Sequence, residues 1–117
     1  MSITVFGIPN CSTVKKARDW LDNHQVPYVF HDFKKLGVTE SLIRHWLEKA
    51  DLDSLVNRSG MTYRNLSEAE KTQTMMVSSA IPILITHPSM IKRPIVEFNQ
   101  QVLLGFKEPI YAAAFGK

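Results

Sequence analysis

The single cysteine of the chain, Cys11, follows Gly7-Ile8-Pro9-Asn10 and precedes a segment with helical periodicity. That position puts its sulfur at the start of a helix. There, unpaired backbone N–H groups and the positive end of the helix dipole favour a thiolate over a thiol. The thiolate is the nucleophile, so the chemistry implied is attack on an oxidised substrate or a mixed disulfide. Thr13 is placed to offer the sulfur a hydroxyl hydrogen bond. A free cysteine also serves as a small buried filler, but core cysteines more often lie within an element than at a loop-to-helix junction. The run Cys11-Ser12-Thr13-Val14 is not Cys-x-x-Cys, and no second cysteine exists to resolve an oxidised Cys11. The second thiol must come from outside, and a glutathione-like thiol is the obvious candidate.

Glutathione is anionic, which makes the cations relevant. Arg58 lies in the turn Asn57-Arg58-Ser59-Gly60, and Arg93 stands directly before Pro94. A guanidinium beside a thiolate stabilises it and holds an oxyanion or carboxylate bidentately; otherwise each is an ordinary surface arginine. Lys15 and Lys16 follow Cys11 within a helical turn. Lys15 is a candidate for the anion site, although a solvated face also accounts for both. His24, His31, His45 and His87 are scattered without ligand spacing, so no metal site is expected. Trp20, Trp46 and Tyr63 read as packing residues, and Met75-Met76 as helix core.

The elements around these residues follow from pattern. Ile3–Phe6 is a β-branched and aromatic run ending at Gly7, a buried strand. A helix from Ser12 to His24 puts Val14, Ala17 and Leu21 on one face. Val26–Asp32 reads as a second strand, parallel to the first through a right-handed crossover. Residues 33–79 read as mostly helical. Thr39 is a cap before the Leu42, Ile43, Trp46, Leu47 stripe, a short helix covers Asp51–Val56, and Ser67 and Glu70 form a capping box. Residues 80–91 are ambiguous. Ile83-Leu84-Ile85 favours a strand, whereas Ser79 as cap, Pro82 in the first turn and Pro88 as terminator would make a helix. Pro94–Asn99 and Val102–Phe106 read as strands joined by a turn at Asn99-Gln100-Gln101. Glu108–Phe115, with Pro109 and three alanines, reads as a helix.

Bulk properties set the class. The chain has 117 residues, 44% hydrophobic and 21% charged, which suits one soluble domain rather than disorder. A net charge of +3 is too small to imply nucleic-acid binding. The start of the chain lacks the pattern of a secretory signal, and no window reaches the length of a membrane span. A lone thiol fits a reducing compartment, so the cytoplasm is expected.

The run Phe6-Gly7-Ile8-Pro9-Asn10-Cys11-Ser12-Thr13-Val14-Lys15-Lys16-Ala17 closely resembles the opening of the YffB-like branch of the arsenate-reductase family, which also includes the Spx regulators. Phe30-His31-Asp32, Asn57-Arg58-Ser59-Gly60, Ile91-Lys92-Arg93-Pro94-Ile95 and Leu103-Leu104-Gly105-Phe106 extend the resemblance over nearly the whole chain. It implies an α/β, thioredoxin-like fold, β-α-β then β-β-α, in a single domain of residues 1–117 with a helical insert at about 34–90. It also implies that residues 80–89 are helical and that the Arg93–Pro94 peptide is cis and lies against the Cys11 sulfur.

By that resemblance Cys11 is the catalytic nucleophile. Arg93 matches the arginine before proline, and Arg58 matches a loop arginine to within about one residue of register. Thr13 and Lys15 are further candidates at the anion or glutathione site, which Asn10 and Pro94 shape. The family's third arginine is absent, and Gly7 and Ile8 replace the usual His and Asn before the cysteine. These departures count against efficient arsenate reduction and leave the thiol chemistry in place. The implied function is a glutathione-dependent thiol reductase with no bound cofactor, its cysteine resolved by glutathione or a glutaredoxin-like donor. The alternative is an Spx-like protein that binds the RNA polymerase α-subunit without catalysis.

Overall fold

The computed structural model describes residues 2–117. In chain order the elements are β1 (Thr4–Gly7), α1 (Ser12–Asn23), β2 (Val29–Asp32), α2 (Phe33–Leu36), α3 (Glu40–Leu47), α4 (Leu52–Leu55), α5 (Met61–Arg64), α6 (Glu68–Gln73) and α7 (Val77–Thr86), then a 3₁₀ turn (Pro88–Met90), β3 (Ile95–Phe98), β4 (Gln101–Leu104) and α8 (Glu108–Phe115). They form two compact units. One joins the segment up to Lys34 with Arg93–Lys117, and the other is Lys35–Lys92. No helix among the described residues is long and apolar enough to cross a membrane.

The first unit is β-α-β followed by β-β-α around a four-stranded mixed sheet in the order β2-β1-β3-β4. β1 pairs parallel with β2, Gly7 facing Asp32, and antiparallel with β3, Val5 facing Val96. As one of the two interior strands, β1 is apolar on both faces, with Val5, Phe6 and Gly7 all buried. α1 buries Val14, Ala17, Trp20 and Leu21, one residue more than the periodicity singled out. α8 contributes Tyr111, whose hydroxyl donates to the Gly105 carbonyl at 2.8 Å and whose ring meets Trp20 and Phe106 edge-on. β2 starts at Val29 rather than Val26, because Pro27 has no N–H to give a ladder. The β3–β4 turn is two residues long, Asn99 and Gln100 both at positive φ, so Gln101 already belongs to β4.

The second unit is helical. Thr39 caps α3, Asp51 caps α4, and the Ser67–Glu70 capping box makes both of its reciprocal bonds. Residues 80–86 lie in α7 and 88–89 in the 3₁₀ turn, with His87 between them outside the helical region (φ −125°, ψ 73°), so the segment is helical up to Thr86 against simple β-propensity. The local signals read for that helix are displaced, however. Its cap is Met76, and Ser79 lies inside the first turn, where its hydroxyl donates to the Gln73 and Met76 carbonyls. Pro82 is interior to the helix rather than in its first turn. Met75 and Met76 are not core: they sit in the turn between α6 and α7, 62% and 67% exposed. Periodicity misplaces them because α6 stops at Gln73 and the face they would have joined ends there. Trp46 is fully buried, and Tyr63 is half-buried beneath the cations of Arg58 and Lys71.

Candidate functional site

The site is built where β1 hands over to α1. Gly7 ends the strand under the first turn of the helix. A Cβ there would lie 2.8 Å from Val14 Cγ2, so only glycine lets the helix come this close. The turn through Ile8-Pro9-Asn10 closes with the Cys11 N–H donating to the Ile8 carbonyl at 3.4 Å. Cys11 is the N-cap of α1. Its backbone is extended (φ −104°, ψ 126°), and its carbonyl accepts the Lys15 N–H at 2.9 Å. The thiol is half-buried.

The Cys11 side chain makes no capping hydrogen bond to the helix, as expected of a weak acceptor. Its surroundings nevertheless favour the thiolate. Burial by itself pushes the Cys11 pKa up. The Val14 N–H, the Arg93 side chain, the Thr13 N–H and the Arg93 charge together outweigh burial, holding the thiol below its usual range. Thr13 and Val14 are the second and third residues of the helix, whose amides have no partner in the preceding turn. The sulfur therefore occupies the place of a capping oxygen, and the cap favours its anion.

Arg93 reaches the site from the far side of the sheet's centre line, at the lead-in to β3. The Arg93–Pro94 peptide is cis, Pro94 is buried, and its carbonyl accepts the Gly105 N–H at 2.8 Å. The structure thus brings Cys11, Arg93 and Thr13 together. It corrects the part expected of Thr13, whose backbone amide, not its hydroxyl, serves the sulfur. Asn10 is exposed beside Cys11, and its Oδ1 lies 3.5 Å from Lys34 Nζ.

Two expected cations are otherwise engaged. Lys15 is paired with Asp19 at 2.9 Å along the exposed side of α1, since at this spacing the two side chains reach one another along the helix surface. Arg58, in the second unit, donates through Nη1 to Thr74 Oγ1 at 2.7 Å. Its Nη2 donates to the Thr74 carbonyl at 3.1 Å and to Asp53 at 3.0 Å. Both terminal nitrogens of its fork are spent on tying α4 to the end of α6, where Thr74 is fully buried.

Lys34 was missed by sequence reasoning. Gly7 faces Asp32 in the parallel ladder, so the residues after β2 emerge next to the Cys11 loop. The Asp32 carboxylate accepts the Lys34 N–H at 2.8 Å and turns the chain there. The available signal was the pair Lys34-Lys35 directly after a strand expected to run parallel to β1.

Comparison with known proteins matches residues 6–114 to the ArsC family. An uncharacterised protein of Haemophilus influenzae is 39% identical over 113 residues, covering 97% of this chain and 98% of its own. The global transcriptional regulator Spx of Streptococcus pneumoniae is 27% identical, over 91% of this chain and 80% of its own. Among solved structures, the YffB protein superposes with a TM-score of 0.93 at 42% identity, covering 97% of this chain and 98% of its own. A protein of Brucella melitensis described as related to arsenate reductase superposes at 0.76 with 39% identity, covering 100% of this chain and 97% of its own.

Proposed function

Because the chain belongs to the ArsC family, we propose that it is a glutathione-dependent thiol reductase working through Cys11. The observation that carries the reading is the sulfur at the N-cap of α1, with two helix amides and Arg93 favouring its anion. In the proposed cycle the Cys11 thiolate attacks the glutathionyl sulfur of a substrate mixed disulfide. A Cys11–glutathione disulfide forms, and the substrate leaves as a thiolate that takes a proton from water. A second glutathione, as thiolate, attacks the glutathionyl sulfur on Cys11, releasing glutathione disulfide and regenerating the Cys11 thiolate. The net reaction is an exchange in which the substrate mixed disulfide and one glutathione thiol give the substrate thiol and glutathione disulfide, and no resolving cysteine of the chain is needed. Arg93 lowers the barrier to departure of Cys11 in the second step by stabilising its negative charge. Such a cycle requires a reducing compartment, consistent with a cytoplasmic protein.

The test is reduction of a glutathionylated model peptide by the purified protein in the presence of glutathione, with mass spectrometry of the intermediate. A Cys11–glutathione adduct that turns over, and is absent in Cys11→Ser, is expected. An unmodified Cys11 throughout would refute the reading. The Spx relatives motivate a second reading, a non-catalytic partner of the RNA polymerase α-subunit. Undiminished binding of the polymerase α-subunit by Cys11→Ser, in a protein with no turnover, would favour that reading.

A further inference from the structure

The outer edge of the first unit carries a feature that the Cys11 chemistry does not use. In the order β2-β1-β3-β4, β2 has only β1 as a hydrogen-bonded neighbour. The Val29 N–H donates to the Ile3 carbonyl at 2.9 Å, on the β1 side. Backbone groups alternate in direction along a strand, so the N–H and carbonyl of Phe30 point to the outer side. Sheet edges are commonly guarded by lysine or proline within the strand. Val29–Asp32 contains neither, and Val29 is 65% exposed.

Beside this edge lies an open cleft of about 450 Å³ lined by Arg18, Asp22, Val26, Pro27, Tyr28 and Phe30. The Arg18 guanidinium lies 3.9 Å from the centre of the Phe30 ring. Its Nε donates to the Tyr28 hydroxyl at 3.1 Å. That is its only side-chain hydrogen bond among the described residues, and Asp22, though it lines the same cleft, forms no ion pair with it. The guanidinium is thus held by an aromatic ring and a phenol, with both terminal nitrogens left to bind. A planar, pre-oriented guanidinium is the side chain best suited to a carboxylate, since little ordering entropy remains to be lost. Phe30 links the two features: its ring supports the cation and its backbone offers the open edge.

We propose that the outer edge of β2 and the Arg18 cleft form a docking site for an extended acidic peptide segment of a partner protein. The segment adds as a strand beside β2, exchanging hydrogen bonds with Phe30, and delivers a carboxylate to Arg18. Strand addition supplies affinity through the main chain, and the cation supplies specificity. A free small carboxylate would use only the fork in an open cleft. The unpaired backbone beside it is what selects a peptide.

The experiment is titration of the ¹⁵N-labelled protein with acetylated, amidated pentapeptides of alternating Val and Thr around a central Glu, each matched to a Gln twin, with N-acetylglutamate as the small-molecule arm. Saturable shifts of the Val29–Asp32 amides and of Arg18 Nε–Hε are expected, with the Glu peptides binding about tenfold tighter than their twins, the size of one charge-assisted contact. Arg18→Gln should erase that preference. Arg18→Lys, which keeps the charge and loses the fork, should retain only part of it. Equal binding of both twins, absence of shifts with the whole panel at millimolar peptide, or equal affinity for N-acetylglutamate would overturn the proposal. So would shifts of the same amides on concentrating the protein alone, which would assign the edge to a second copy of this chain. Loss of dispersion in the spectrum of Arg18→Gln would move the decision to Arg18→Lys and the peptide twins.

Discussion

Replacing Gly7 by alanine tests whether strand and helix are as tightly coupled at Cys11 as the geometry states. The new Cβ would lie 2.8 Å from Val14 Cγ2, well inside a normal carbon–carbon contact. Val14 is fully buried and β-branched, so its side chain has no alternative rotamer to retreat into. Gly7 is not at positive φ, so alanine is conformationally allowed and gains about 0.4–1 kcal/mol by restricting the unfolded chain. Overpacking costs about 1–3 kcal/mol, leaving a net loss of about 1–2 kcal/mol. For a domain of this size that lowers Tm by about 4–8 °C.

The same displacement moves the Val14 amide, the strongest of the contacts that favour the Cys11 thiolate. Stability and reactivity should therefore change together, with the pH midpoint of iodoacetamide alkylation rising as stability falls. Val14→Ala removes the obstructing methyl groups, so the double variant should be at least about 1 kcal/mol more stable than the sum of the single effects. Denaturant unfolding of the four proteins and alkylation rates against pH measure both effects. A Gly7→Ala protein as stable as the parent, with an unchanged alkylation midpoint, would show that the close approach does not hold the site.

Arg93→Gln removes a hydrogen bond and a positive charge from the thiolate, so alkylation of Cys11 should require higher pH while its limiting rate persists; an unmoved midpoint would separate Arg93 from the sulfur. Tyr111→Phe keeps the buried ring and deletes the bond to the Gly105 carbonyl, costing about 1 kcal/mol in thermal unfolding at neutral pH. Burial also raises the Tyr111 pKa well above its unfolded value. Its hydroxyl therefore stabilises the fold fully below about pH 10, and the gap between parent and variant should close as pH rises further. Arg58→Met should cost about 1–3 kcal/mol, because the buried Thr74 loses its guanidinium partner and Asp53 its ion pair; the readout is the denaturant midpoint of the intact chain.

The candidate site was legible at one residue. A cysteine between a β-branched run and a helical period falls at a helix start, and a helix start is recognisable locally because it depends on neighbours within three residues. The same locality made Thr39 and the Ser67–Glu70 box readable. It failed where a boundary depended on distant packing. Ser79 and Pro82 have the composition of a helix start, yet α7 is capped three residues before Ser79, at Met76, and residues 80–89 read as strand or helix with equal ease until the family resemblance is added. Met75 and Met76 looked like core only while α6 was allowed to run past Gln73.

What the chain alone determined was the thiol, its place at a helix start, the absence of a partner cysteine and the β-α-β then β-β-α order, all of which follow from residue type and near-neighbour spacing. Which cations serve the sulfur was decided only by the tertiary structure. Arg93 lies 82 positions along the chain from Cys11 and reaches it through the pairing of β1 with β3, Lys34 comes only as far as the neighbouring Asn10 through the parallel register of Gly7 with Asp32, and Arg58 and Lys15 bind acceptors of their own. Charge type is written in the sequence. The direction in which a long, flexible side chain points is set by whichever acceptor the folded backbone brings within its reach.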